Sequence, residues 1–438
     1  MTTEAPTGEA APQASSIGSE QPPSGDAPGQ QRGKAAFVKL LRRLSEANVF
    51  VVTVLAIFSA LVLGAILILV TTPAVLHSWG RIGSRPGAAF STSWRTIAAA
   101  YSAMFEGSLF APSAISHAVS TGHGWTTALT PISETLVSAT PLILAGTGVA
   151  IGFSTGVFNI GAQGQLIAGA LGALFVGFEV HAPIGVHLPL VILGGAAGGA
   201  IAGFIPGVLK ARTGAHEVIT TIMLNYVFLD LLTYLLTTAP FQQPGQANAI
   251  SRTMPSTAIL PHLFGSTLRV NVGLLVALAV SLGAAWFTRR STAGFSFRVI
   301  GLNPSAGRTA GMDVRRITIL VLTLSGALAG LAGMATLSGT DFFLSTGYGG
   351  NIGFDAITVA LLGRNRPLGV LLGSLLFAAL ITGGRYMQAY TGVDLDLTTV
   401  IQAIIVFFVA TPALVREVFR LRDQGEGPTR ILTKGWGG

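Results

Sequence analysis

The chain has 438 residues, half of them hydrophobic and only a tenth charged, with a net charge of +8. A soluble domain carries about a quarter charged residues, so this composition excludes a soluble globular protein and describes an integral membrane protein. The absence of cysteine also excludes a thiol catalyst and a Cys-based metal site.

In chain order, residues 1–31 are rich in Pro, Gly, Ser, Ala and Glu and lack apolar periodicity, so a disordered N-terminus is expected over residues 1–46. The stretch is too polar for a signal peptide. Arg32, Lys34, Lys39, Arg42 and Arg43 precede the first span, Val49–Thr71, and basic residues before a first span favour a cytoplasmic start. From Thr72 to Ser133 no span is evident, but Trp94–Phe110 is amphipathic and suits the far interface, with Trp79, Trp94, Tyr101, Phe105 and Trp125 as interfacial aromatics. Further spans read as Glu134–Ser154, Phe158–Phe178, His187–Leu209, Glu217–Thr238, Asn271–Thr288, Ile317–Gly339, the short Phe354–Gly363, Leu368–Met387 and Leu397–Val415. Each full-length run approaches the roughly 20 apolar residues that cross ~30 Å of hydrocarbon. With no alternating strand pattern the class is an all-α polytopic bundle of about ten transmembrane helices, a membrane domain over 47–416 and a cytoplasmic tail over 417–438.

Charge tests the count. Ten crossings from a cytoplasmic start put all but six of the 26 basic residues inside, the exceptions being Arg81, Arg85, Arg95, Arg252, Arg269 and Arg385. Removing one crossing reverses every later loop and destroys the asymmetry. The basic excess is therefore a topology signal and not a nucleic-acid footprint.

Two stretches interrupt the apolar pattern. Gly152–Gln165 and Gly347–Asp355 place clustered Gly, Asn, Gln and Asp at membrane depth, where freed backbone groups cannot face lipid. Gly-interrupted segments, one in each half of a chain, point to a central transport path. Glycines that only allow close helix approach are the alternative, and the run Gly194–Gly203 is assigned to that role. Asp230 falls inside a span, where a carboxylate costs ~2.5–3.5 kcal/mol unless it meets water or a partner; an ion-coupled carrier would have to use it. The basic island Arg289–Arg316 contains Asn303-Pro304, a good cap and first helical residue. A short helix from Pro304 to Thr309 or Gly311 is expected there, either a docking peg or an ordinary solvated loop. No His-Glu-x-x-His pair, Walker A loop or Ser-based catalytic motif occurs, so no enzyme activity, cofactor or metal is expected.

These residues carry a resemblance. Glu134–Val149 followed by Phe158-Asn-Ile-Gly-Ala-Gln-Gly-Gln165, Gly214–Tyr226, Gly301-Leu-Asn-Pro304 with Ala310-Gly311, and Asp355–Gly363 before Asn365–Gly369 resemble the permease subunits of ABC importers for ribose and nucleosides, a branched-chain amino acid-like permease family, and most the nucleoside type. The resemblance covers roughly Trp94 to Arg416. It implies a cell-membrane subunit with both termini cytoplasmic that moves nucleosides or ribose-like sugars by alternating access. It also implies partners: a homologous or identical second permease, a cytoplasmic ABC ATPase that hydrolyses ATP, and an extracytoplasmic substrate-binding lipoprotein. On this basis Gly301, Asn303, Pro304, Arg308 and Gly311 are candidate ATPase-docking residues. Asn159, Gln163, Gln165, Asn225, Phe342, Asn351, Phe354 and Asp355 are candidate path residues, the phenylalanines for stacking. Gly307 and Met312 stand where the family more often has Ala and a branched aliphatic, and glycine at 307 costs a helix roughly 1 kcal/mol.

Overall fold

The computed structural model of the chain describes residues 49–419. The N-terminal stretch 1–46, its basic residues and all but the first residues of the tail 417–438 lie outside the described residues. Val52–Val415 packs as one unit.

That unit is helical, with no β-strand among the described residues. The helices are α1 (Val49–Thr71), α2 (Pro73–Trp79), α3 (Pro86–Ser108), α4 (Pro112–Thr121), α5 (Trp125–Ser154), α6 (Ala162–Glu179), α7 (Ile184–Thr213) and α8 (Glu217–Leu235). There follow α9 (Val272–Arg290), α10 (Thr292–Leu302), α11 (Pro304–Thr309), α12 (Val314–Thr336) running into a π-helical turn (Leu337–Asp341), α13 (Ile352–Leu362), α14 (Pro367–Thr391), α15 (Leu395–Ala410) and α16 (Pro412–Val418). Among the described residues seven helices, namely α1, α5, α7, α8, α9, α12 and α14, are long and apolar enough to cross a membrane. The shorter α13 and α15 are also apolar, and α6 takes the place of the expected span Phe158–Phe178. α13, at 11 residues, reaches only ~16 Å at 1.5 Å per residue, about half the hydrocarbon.

α12 is the central post. It lies antiparallel to α7, and the two meet through glycine: Gly195, Gly199 and Gly203 face Gly326 and Gly330, so closely that a Cβ on Gly330 would overlap the Gly195 carbonyl. Gly330 also faces Gly169 of α6. The small-residue run assigned to helix packing does pack helices, the usual means of association where lipid removes the hydrophobic drive.

The segment expected at the interface forms a longer helix than Trp94–Phe110. α3 starts at Pro86, where a missing N–H matters least, and lies along α14, with Gly383 on Met104 and Gly107 on Tyr386. Tyr101 Oη donates to the Leu61 carbonyl of α1. Its buried face is therefore bound to two spans.

The helix pairs define two ends. One holds the C-terminus of α7 (Lys210, Arg212), the C-terminus of α9 (Arg289, Arg290) and the α10–α12 connection (Arg308, Arg315, Arg316). The other holds Glu134, Arg269 and Asn271, whose Nδ2 donates to the Gly339 carbonyl at 3.2 Å.

Candidate functional site

The first broken stretch, residues 155–161, joins α5 to α6 without helix. Its freed backbone groups are met by side-chain amides. Asn159 Oδ1 accepts from Gly161 N at 3.0 Å and Gln165 Nε2 at 3.1 Å, while its Nδ2 donates to Gln165 Oε1 and to Ser325 Oγ, both at 2.8 Å. Ser325 sits midway along α12, which puts this network near the centre of a span. Asn225 of α8 accepts from Gly164 N at 2.8 Å and donates to the Ile160 carbonyl at 3.0 Å. Gln163 Oε1 accepts from Gly353 N at 2.8 Å, tying the start of α6 to α13. All four side chains are buried. The Gly161 and Gly164 N–H groups and the Ile160 carbonyl, freed by the interruption, thus have protein partners, as groups freed in hydrocarbon require.

The second stretch turns through Gly347, Gly349 and Gly350, all at positive φ, and is anchored by the buried Tyr348, whose Oη donates to the Gly333 carbonyl at 2.7 Å. It delivers Asn351 and Asp355 to the wall of a cavity of about 390 Å³. The wall is built by α5, α12 with its π turn, α13, α14 and α15. At its mouth Arg269 Nη1 pairs with Glu134 Oε2 at 3.0 Å, and Arg269 and Arg385 both act electrostatically on Asp341. Thr140, Thr336 and Thr340 are bonded back to their own helices, and Asn271 caps α9. Asn351, Asp355, Thr398, Thr399 and Gln402 make no side-chain hydrogen bond among the described residues. Thr398 is 1% exposed and its Oγ1 is bonded to nothing.

The candidate path residues therefore fall into two groups. Asn351 and Asp355 face the cavity with unspent polar groups. Asn159, Gln163, Gln165 and Asn225 form the buried network behind it. Phe342 and Phe354 are not on the wall: the Phe342 carbonyl accepts from Met254 N at 2.7 Å, and Phe354 is half-exposed. Glu134, Arg269, Arg385, Thr398 and Gln402 were not singled out from sequence. Thr398 and Gln402, four apart and so on one face of the helix, were the available signal.

At the basic end the expected cap forms. Asn303 Oδ1 accepts from Ser305 N at 2.9 Å and Ala306 N at 3.2 Å, with Pro304 first in α11. Gly311 ends the turn at φ 79°, and Arg308 Nη2 donates to Ser305 Oγ at 3.2 Å. Gly307 is buried against Ile300, whose Cγ1 lies 3.0 Å from where a Cβ would stand, so an alanine there would press on that side chain. Gly301 lies on Ser154 and Thr155, and Gly156 lies back on Gly301. The α10–α11 corner thus rests directly on the broken loop. Leu302 beside it is 89% exposed.

Asp230 sits on the exposed face of α8 one turn from both Tyr226 and Tyr234, which are 61% and 64% exposed. The opposite face (Glu217, Thr221, Asn225) is buried. Asp230 is away from the cavity, with no bonding partner among the described residues.

Residues 132–410 match the family described as branched-chain amino acid transport system / permease component. The chain is 37% identical to the guanosine ABC transporter permease protein NupP of Bacillus subtilis (strain 168) over 296 residues, 67% of this chain and 85% of the relative. It is 36% identical to the nucleoside ABC transporter permease protein NupB of Lactococcus lactis subsp. cremoris (strain MG1363), covering 65% and 80% of the two chains. Against the glucose ABC transporter permease protein TsgB13 of Haloferax volcanii the figures are 35%, 64% and 76%. No solved structure matches the chain. A bundle of apolar helices, broken at mid-span and matched along residues 132–410, identifies the chain as a multi-pass membrane transport component that belongs to the branched-chain amino acid transport system permease family.

Proposed function

We propose that the chain is the membrane-spanning permease subunit of an ATP-driven ABC importer of nucleosides, working with a second permease, a cytoplasmic ATPase and an extracytoplasmic binding protein. The observation that carries this reading is the 37% identity over 85% of a guanosine permease. The charge asymmetry makes the basic end cytoplasmic, so the cavity opens towards the side from which a binding protein delivers. Asn351 and Asp355 meet substrate there. The ATPase takes hold of the segment Gly301–Gly311 through Asn303, Pro304, Arg308 and the exposed Leu302. Because Gly301 bears on Ser154–Gly156, movement of that segment reaches the broken loop, and through Asn159 and Asn225 reaches α12 and α8. Two such subunits rocking against each other alternate access to the path.

Replacing residues 301–311 by a flexible linker is expected to abolish ATPase co-purification while membrane insertion persists. Retained co-purification would overturn the docking assignment, and a wild-type complex without ATP-dependent nucleoside uptake would overturn the function.

The second permease covers the Tyr226–Asp230–Tyr234 face, since a lipid-facing carboxylate in a span is expensive. The natural chain contains no cysteine, so Asp230→Cys carrying a thiol-linked photo-crosslinker labels one site. The expected product is an adduct of two permeases; capture of lipid alone would refute the assignment.

A further inference from the structure

We propose that the cavity binds the vicinal hydroxyls of the ribosyl group of a transported nucleoside, through Asp355, Thr399 and Gln402, and leaves the base unread. The proposal rests on the nucleoside function above and goes beyond it by naming which half of the substrate the permease recognises.

Three observations on the wall carry it. First, the unspent polar groups are hydrogen-bonding partners for hydroxyls. Asp355 has a carboxylate, Thr399 an exposed hydroxyl with no partner among the described residues, and Gln402 an amide one helical turn further on, whereas the Thr398 hydroxyl is sealed against Gly384. A carboxylate without a partner in a span is unfavourable, and one carboxylate can accept from two adjacent hydroxyls; an acidic side chain meets a ribose hydroxyl in this way in dinucleotide-binding folds. Second, no Phe, Tyr, Trp or His is among the described residues that line it. Base recognition without sequence preference relies on aromatic faces, worth ~1–3 kcal/mol per base stacked, and this wall offers none. Third, Val137, Pro141, Leu142 and Leu395 supply an apolar side for the carbon face of a sugar ring, and 390 Å³ lies within the usual range of small-molecule pockets, about 300–1,000 Å³. Other polar groups of the wall, such as Thr140, Thr336, Asn271 and the Glu134–Arg269 pair, are already occupied. Thus the groups free to accept from hydroxyls lie on α13, the turn before it and α15, with the Arg385 guanidinium of α14 across from them on the wall.

The test compares uptake of a ribonucleoside and its 2′,3′-dideoxy counterpart by the complete transporter, in the wild type, Asp355→Asn and Thr399→Val. Any preference of the binding protein is common to all three and cancels in the ratio of variant to wild type. If Asp355 and Thr399 read the diol, each variant loses ribonucleoside uptake, by roughly tenfold for Asp355→Asn as a charge-assisted hydrogen bond is weakened, while dideoxynucleoside uptake is unchanged relative to wild type. Thr399→Val keeps side-chain shape at an exposed position, so a selective loss with an unaltered melting temperature excludes misfolding. Equal proportional losses for both substrates, or none, would overturn the proposal and leave the transport function standing. A wild type that takes up neither nucleoside with ATP would overturn both.

Discussion

Gly330→Leu is expected to be the most damaging single substitution in the membrane domain, eliminating monodisperse detergent-solubilised protein. Gly330 stands where α12 meets α7 and α6 together, facing Gly195, Gly199 and Gly169. Even one added methyl group would overlap the Gly195 carbonyl, and backbone cannot step aside as a flexible side chain does. Overpacking typically costs about 1–3 kcal/mol per site. Here a whole isobutyl group would have to push α12 away from both neighbours at once, and those helices have no hydrophobic force in lipid to draw them back. Gly330→Ala should fall between, lowering the melting temperature without abolishing folding. A leucine variant that melts with the wild type would mean that the helices do not approach at Gly330.

This contact was legible in the sequence because its chemistry is local: a run of glycine and alanine in an apolar span has few uses besides close packing. The Asn303–Pro304 cap was legible for the same reason, and the structure gives the short helix the extent Pro304–Thr309. The cavity was not. Arg269 and its partner Glu134 are 135 residues apart, and the wall draws on five helices whose mutual order no spacing rule reports. Asn351 and Asp355 were found because they lie in a visibly broken stretch, whereas Thr398 and Gln402 lie in an unbroken apolar one. Sequence also could not separate Asn351 from Asn159. Both are amides at membrane depth beside glycine, and only the fold decides whether such an amide meets a carbonyl or a void. Phe342 and Phe354 illustrate the same gap, since nothing in their spacing gives the direction of either ring relative to the cavity.

Asn159→Leu tests that distinction directly and is the second large effect expected. Leucine matches asparagine roughly in shape but removes one acceptor and both donors, leaving Gly161 N, the Gln165 amide and Ser325 Oγ without the partner they now share. Leaving one buried polar group unpaired costs ~1–3 kcal/mol. Interhelical hydrogen bonds in membrane proteins average only ~0.6 kcal/mol, because the disrupted state finds substitutes. At this site the substitutes are few: Asn159 is fully buried, its partners are held by α6 and α12, and Gln165 can at best turn to Ser325. A loss of roughly 3 kcal/mol is therefore expected, seen as a clear drop in melting temperature that precedes any measurement of transport. Ser325→Ala should be milder, since Asn159 would keep both bonds to Gln165. If instead Asn159 contacted substrate, Asn159→Leu would impair uptake at an unchanged melting temperature. The order in which stability and transport fail thus separates a residue that holds the break in the helix from one that lines the way through it.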